Sequence, residues 1–160
     1  MLRETIKIVI PGTPMVKKNG SKVSAFIKNK KTGKLDQRDV PVHYYTKQYN
    51  EWAKKALPIV ISLKNNLLAA GWELPITDMI NLKCLFYFDA NRVVDLSALY
   101  EAPQDLLTGK AGVYSETVPP DFYKILMDDS VRFIASHDGS RFLLDYVNPI
   151  TEIYLEAFRI

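Results

Sequence analysis

Five carboxylates stand in or beside segments rich in apolar residues, and they are the side chains best suited to chemistry. Asp95, Glu101 and Asp105 belong to one such segment, and Asp128 and Asp129 form a pair further along the chain. Burial of an unpaired carboxylate is unfavourable because desolvation favours the neutral acid. A hard divalent cation with oxygen ligands would offset that penalty, so the pattern predicts a site for such a cation. The alternative is a solvated acidic helix face followed by an acidic turn.

The spacing of the first group fits a helix that begins near Asp95. Ser97, Glu101 and Asp105 recur every four residues and lie along one side of such a helix, so the two carboxylates repel one another unless a cation intervenes. Asp95 serves either as the helix N-cap or, with Glu101, as a metal ligand. The acidic pair further along either closes the metal site or forms a plain acidic turn.

His137 is a further candidate for acid–base chemistry. It precedes Asp138-Gly139, where it either acts as a general base or belongs only to the turn. His43 is the other histidine, so the chain has too few imidazoles for a zinc site. Asp105 and His137 therefore form a second rank of candidate site residues.

Apolar periodicity predicts the elements that must position these residues. The strands are expected at residues 4–10, 79–88, 131–136, 141–147 and 151–160, the third and fourth forming a hairpin about Asp138-Gly139. One helix is expected from an N-cap at Thr46 to Gly71, kinked or split at Pro58, and a second over residues 95–107, ended by Gly109 or Gly112. The order predicts an α+β domain, a small mixed β-sheet packed against two main helices.

Charge is distributed unevenly along the chain. Residues 1–55 hold 13 Lys or Arg against 4 Asp or Glu, whereas residues 56–160 hold 8 against 14. The basic segment 17–38 is predicted to be a mobile loop or a loose hairpin, and it is either merely solvated or a surface for a polyanion. The lysines expected to contact phosphates are Lys17, Lys18, Lys22, Lys28, Lys30 and Lys31.

Length and composition limit the remaining classes. The 160 residues suit one domain over 1–160, and the single Cys84, in an apolar run, is expected to fill the core. The chain has no apolar run long enough to span a membrane and no secretory pattern at its start, so a cytoplasmic protein is expected.

Several of these residues together resemble a known family. Asp95-Leu96 with Leu99, then Asp105-Leu106-Leu107, Ala111-Gly112 and Asp128-Asp129-Ser130 are similar to the core of the RusA-type Holliday-junction resolvases, endonucleases of phages and prophages. Residues 8–14 with Lys17-Lys18 resemble that family's first strand and basic loop. The resemblance implies a homodimer in the bacterial cytoplasm that cuts four-way DNA junctions in recombination and repair. It implies Mg²⁺, for which Mn²⁺ can substitute, and catalytic roles for Asp95 and Asp129.

The motif departs from the family's pattern at three positions. The second aspartate falls on Ser97, the asparagine on Ala98 and the catalytic lysine on Glu101, and the spacer before the paired aspartates is longer by a dozen or so residues. Glu101 is expected to supply the missing carboxylate from one turn further along the helix. The expected metal ligands are thus Asp95, Glu101, Asp128 and Asp129, with catalysis by Asp95, Glu101 and Asp129.

Two further readings stay open. A junction-binding accessory protein with an impaired active site would keep the basic segment and lose cleavage. An enzyme of small phosphorylated substrates would show no salt-dependent affinity for DNA. Phe26, Tyr44 and Tyr45 either insert between unstacked bases at the junction centre or, as is expected of each, pack in the core.

Overall fold

The computed structural model describes residues 4–16, 18–45, 47–91, 94–111 and 118–158, and only the backbone at residues 18–25, 27 and 38–45. These residues contain seven strands and two long helices. The strands are β1 (Ile6–Pro11), β2 (Lys18–Lys28), β3 (Leu35–Tyr45), β4 (Ile80–Phe88), β5 (Ile134–Ser136), β6 (Arg141–Leu144) and β7 (Ile150–Ala157). The helices are α1 (Lys47–Ala69) and α2 (Leu96–Thr108), with a short 3-10 helix at Pro120–Phe122. The predicted α+β class, a mixed sheet with two helices, is confirmed.

The main sheet is built around β4 and β7. Its strand order is β1-β7-β4-β5, and β6 also pairs with β4. β7 runs antiparallel to both β1 and β4, whereas β5 and β6 run parallel to β4. Ile6, Ile8 and Ile10 are buried and the residues between them are exposed, as the alternation predicts. β4 lies inside the sheet, with β7 on one side and β5 and β6 on the other.

The predicted hairpin of β5 and β6 is wrong. Both strands pair with β4 in parallel, β5 beside Ile80 and Asn81 and β6 beside residues 85–88. The chain turns at Asp138-Gly139 but then continues in its former direction, so the two strands form one interrupted edge strand. Because α2 connects β4 to this edge strand, the three elements form a parallel crossover unit.

Side chains of the turn complete the hydrogen bonding of β4 at the interruption. The Ser140 hydroxyl accepts a hydrogen bond from the Cys84 backbone N–H at 2.9 Å. His137 Nδ1 donates to the Leu82 carbonyl at 2.8 Å. Cys84 is fully buried, as expected of a core residue, and burial raises the pKa of its thiol. The turn between β5 and β6 therefore replaces the missing strand for two backbone groups of β4.

α1 continues through Pro58, so of the two predicted alternatives, a kink or a split, the split does not occur. The helix is 23 residues long and packs one face into the core through Tyr49, Trp52, Ala53, Ala56, Leu57, Val60 and Leu67. That burial outweighs the local penalty of the proline. The predicted end is confirmed, because Gly71 has φ +83° and the N–H of Trp72 reaches back to the Leu67 carbonyl at 3.0 Å. Thr46, the predicted N-cap, lies outside the described residues.

α2 begins and ends at capping residues that the sequence predicts. Asp95 is the N-cap, and Gly109, in a left-handed conformation (φ 83°), ends the helix. Gly112 lies outside the described residues. The apolar face of α2 buries Leu99, Ala102, Leu106 and Leu107. Within the described ranges, no helix has the length and apolar character needed to cross a membrane.

The basic segment forms a separate two-stranded sheet. β2 and β3 pair antiparallel from Lys18 opposite Tyr45 to Lys28 opposite Leu35. Of the two predicted conformations, a loop or a loose hairpin, the structure contains the hairpin, and it extends seven residues beyond the predicted end at residue 38. Asn29 closes the turn, because its side-chain oxygen accepts hydrogen bonds from the N–H groups of Lys31 (2.9 Å) and Thr32 (3.3 Å).

Candidate functional site

Two of the predicted metal ligands meet at the C-terminal end of α2. The Nζ atom of Lys110 lies 2.9 Å from Oδ1 of Asp128 and 2.9 Å from Oδ1 of Asp129. All three side chains are partly exposed. The pair therefore holds one cationic group between two carboxylates, rather than forming an acidic turn without a partner.

The turn after α2 positions Lys110 for this contact. Gly109 adopts a left-handed conformation, and the N–H of Lys110 donates to the Asp105 carbonyl at 2.7 Å. A side chain at Gly109 would also meet Cβ of Pro120 at 2.9 Å, so glycine is required by both conformation and space. The returning chain docks beside it, because the Leu107 carbonyl accepts hydrogen bonds from the N–H groups of Ile125 (2.8 Å) and Leu126 (2.9 Å).

The charges of this cluster stabilise one another. Hydrogen bonds to Asp129 and Asp128 raise the pKa of Lys110. The hydrogen bond from Lys110 holds the pKa of Asp128 below the ordinary range of a carboxyl group. Asp128 therefore stays ionised at neutral pH, which a ligand for a divalent cation must be.

Asp95 lies at the opposite end of α2. Its backbone is extended, and its Oδ1 accepts a hydrogen bond from the N–H of Ser97 at 2.9 Å. The N-cap interpretation is therefore confirmed. Because the 13 residues of α2 separate Asp95 from the turn that carries Lys110, and a helix of this length spans about 20 Å, Asp95 does not join the acidic pair within one copy of the chain.

Glu101 and Asp105 follow Asp95 along α2 and become progressively less exposed. Ser97 is exposed, Glu101 is half-buried and Asp105 is buried, with 5% of its surface accessible. Among residues 4–16, 18–45, 47–91, 94–111 and 118–158, no three His, Cys, Asp or Glu side chains form a group that could hold a metal ion. The structure thus brings Asp128 and Asp129 together but does not bring Asp95 or Glu101 to them.

His137 is packed against α2. Its ring stacks on that of Tyr100, with the centroids 4.0 Å apart and the planes 5° from parallel. The Leu82 carbonyl can only accept, so Nδ1 carries the proton, and Nε2 accepts from the Gln104 amide at 3.0 Å. Burial lowers the pKa of His137. Both ring nitrogens are thus used in structural hydrogen bonds, which agrees with the turn interpretation rather than with the general base.

The hairpin places exposed lysines around its turn. Lys28, Lys30 and Lys31 are exposed, as a phosphate-binding surface requires, and so is Lys34, which the prediction omitted. Lys17 lies outside the described residues. The side chains of Lys18 and Lys22 also lie outside the description.

Phe26 differs from the expectation that it packs in the core. Its side chain is 70% exposed, and Leu35 on the facing strand is 67% exposed. The side chains of Tyr44 and Tyr45 lie outside the description. The apolar character of Phe26 pointed to burial, and only its position next to a lysine-rich turn indicated otherwise.

Comparison of the chain with known protein families and with curated proteins found no match. The similarity to the RusA-type resolvases therefore depends on the residues quoted above.

Proposed function

We propose that this protein is a metal-dependent endonuclease that hydrolyses phosphodiester bonds in branched DNA, as the RusA-type resolvases do at Holliday junctions. The observation that carries the proposal is the acidic pair, whose two carboxylates lie 2.9 Å from one cationic nitrogen. Mg²⁺ keeps several waters and is commonly bound through one or two carboxylates, so Asp128 and Asp129 fit its requirements. When bound there, the ion would acidify a water molecule and stabilise charge on the leaving oxygen.

The hairpin supports DNA as the substrate. Lys28, Lys30, Lys31 and Lys34 are exposed around one turn, where they can contact phosphates without reading the base sequence. A surface of this kind suits an enzyme that recognises the shape of a branch point. An enzyme of small phosphorylated substrates would have no use for it.

Asp95 and Glu101 enter the proposal under one condition. Within one copy of the chain α2 separates Asp95 from the acidic pair, so the two can serve one catalytic centre only if they come from different copies. The homodimer implied by the family resemblance would supply the second copy. Within its own chain, Asp95 caps α2.

A second candidate is a branched-DNA-binding accessory protein that does not cut. Two observations favour it: Lys110 already offsets one of the two negative charges of the acidic pair, and Ser97 stands where the family pattern has its second aspartate. Such a protein would keep the basic hairpin and its affinity for junctions.

Incubation of the purified protein with a labelled synthetic four-way junction and Mg²⁺ distinguishes the two candidates. The endonuclease yields nicked strands, and Asp129→Asn reduces cleavage at least a hundredfold while the junction is still bound. Asp121→Asn, at an exposed aspartate of the 3-10 helix, is the matched control and should cut normally. A junction that is bound but never cut, by any of the proteins, would identify the accessory protein.

A further inference from the structure

Two large apolar side chains are exposed side by side near the tip of the β2–β3 hairpin. Phe26 is 70% exposed and Leu35 is 67% exposed. Phe26 lies opposite Gln37, and Lys28 lies opposite Leu35. Residues directly opposite one another on paired strands share a face of the sheet, and so do residues two apart on one strand. Phe26 and Leu35 are therefore diagonal neighbours on one face of the hairpin, within reach of each other.

Among the described residues, no other helix or strand makes extensive contact with the hairpin. β2 and β3 contact chiefly each other, and the pair forms a sheet separate from the five-stranded one. Burial away from water would stabilise each of these side chains. Their exposure on a narrow two-stranded ribbon therefore points to a partner that covers them.

The surroundings of the apolar pair define the chemistry of that partner. Lys28 lies opposite Leu35, and Lys30, Lys31 and Lys34 lie in the connection between the two strands; all four are exposed. The partner must therefore combine negative charge with flat apolar faces. A nucleic acid with unstacked bases has both, because its phosphates attract lysine and every base offers a face for stacking.

The dimensions of the ribbon favour DNA over an anionic membrane. A two-stranded β-ribbon fits the major groove, which is about 12 Å wide. Membrane-surface binding depends on a broad apolar face that inserts among the lipids, whereas this hairpin presents two apolar side chains. A single aromatic ring backed by one leucine suits insertion at one base step.

We propose that Phe26 stacks on an unpaired or unstacked base at the branch point, with Leu35 beside it and the surrounding lysines on the flanking phosphates. This inference rests on the proposed DNA-binding function and assigns its means of selecting branched over continuous DNA. Loss of one base–aromatic stack should weaken junction binding about tenfold. Affinity for continuous duplex, which depends on the lysines, should change little.

The test uses a four-way junction that carries 2-aminopurine at its centre, and a matched linear duplex. The wild-type protein should increase the 2-aminopurine fluorescence of the junction, because the base leaves the stack of neighbouring bases and contacts Phe26 instead. Phe26→Ala should abolish this increase and lower junction affinity about tenfold, and Phe26→Trp should restore both. Leu68→Ala, at an apolar residue of α1 that is 47% exposed, is the control and should behave as wild type.

The outcomes separate this inference from the function on which it rests. If the wild-type protein binds neither DNA, both are wrong. If it binds and Phe26→Ala keeps the fluorescence increase and the preference for the junction, the stacking role alone is wrong. Binding to vesicles that contain phosphatidylglycerol, lost in Phe26→Ala without any change in junction binding, would instead assign the pair to a membrane surface. Equal thermal unfolding of the variants confirms that folding is unaffected.

Discussion

Lys110 pairs with Asp129 across the turn that ends α2, with Nζ 2.9 Å from Oδ1, and makes a bond of the same length to Asp128. If a divalent cation binds this pair, it competes with the ammonium group for the same oxygens. We therefore predict that Lys110→Gln binds Mg²⁺ or Mn²⁺ several-fold more tightly than the wild type, as measured by calorimetric titration. Lys54→Gln, at an exposed residue of α1, removes the same charge elsewhere and should leave the affinity unchanged. Equal affinities in all three proteins would mean that the pair is only an ion pair.

Asp95 offers a way to separate capping from catalysis. Asp95→Ala removes the acceptor of the Ser97 N–H and should lower the free energy of unfolding by about 1 kcal/mol. Asp95→Asn should leave stability nearly unchanged, because asparagine is an equally good N-cap. Urea denaturation of the two variants measures this difference.

Asp95→Asn also isolates any chemical role of the carboxylate. If it loses junction cleavage at unchanged stability, Asp95 acts in catalysis, and α2 then requires that it act on a centre in another copy. Mixing Asp95→Asn with Asp129→Asn should restore part of the activity, because mixed dimers contain one intact centre. No recovery in mixtures that demonstrably exchange subunits would contradict a shared centre.

The regular elements could be predicted because their signals are local. Alternating Ile6, Ile8 and Ile10 marked β1, and Asp95 and Gly109 marked the ends of α2. Tertiary contacts decided the rest. Asp138-Gly139 predicts a turn but cannot show that the following strand pairs with β4 instead of β5. Pro58 disfavours a helix locally, but the buried face of α1 outweighs that preference.

The site was predictable in its residues and not in its distances. Helical spacing relates Asp95 to Glu101, but no periodicity relates Asp95 to Asp129, because the chain between them returns to the far end of α2. Lys110 was missed, although a lysine just after the helix-ending glycine was a signal for a cation near that end of α2. The exposure of Phe26 could not be foreseen from its apolar character, since only the separation of the hairpin from the core explains it.

The folded protein should become less stable in mild acid because of His137. Burial lowers its pKa in the folded protein below the value of about 6.5 expected in the unfolded chain. Between these two pKa values the unfolded chain binds more protons than the folded protein does. The contribution of His137 to the free energy of unfolding is therefore complete above about pH 6.5 and is lost as the pH falls through the folded pKa. Thermal unfolding at pH 7.5 and 5.5 should show a larger decrease for the wild type than for His137→Gln, which cannot titrate. Equal decreases would exclude His137 as the source.

The exposed hairpin lysines predict salt-dependent binding of DNA. Replacement of Lys28, Lys30 and Lys31 by glutamine should reduce the slope of log K against log salt concentration by about 2 to 3, because each lost phosphate contact removes about 0.9. Fluorescence anisotropy, recorded at salt concentrations from roughly 50 to 300 mM, measures this slope. The control replaces the three exposed lysines of α1, Lys47, Lys54 and Lys55, and keeps the same net charge. Equal slopes for the two triple variants would mean that the hairpin is not the contact surface.

Ser140 tests whether the interrupted edge strand is stabilised by the side chains of its turn. Its hydroxyl is the acceptor for the N–H of Cys84, a residue with no exposed surface. Ser140→Ala leaves that buried donor without a partner and should lower the free energy of unfolding by about 1 to 3 kcal/mol. Ser140→Thr retains a hydroxyl and should recover part of the loss, while Ser62→Ala, on the exposed face of α1, should change stability by less than about 0.5 kcal/mol. Denaturant unfolding of the four proteins decides the point: if Ser140→Ala matched Ser62→Ala, the N–H of Cys84 would have to be satisfied in another way, and the turn would contribute shape rather than hydrogen bonding to the edge of the sheet.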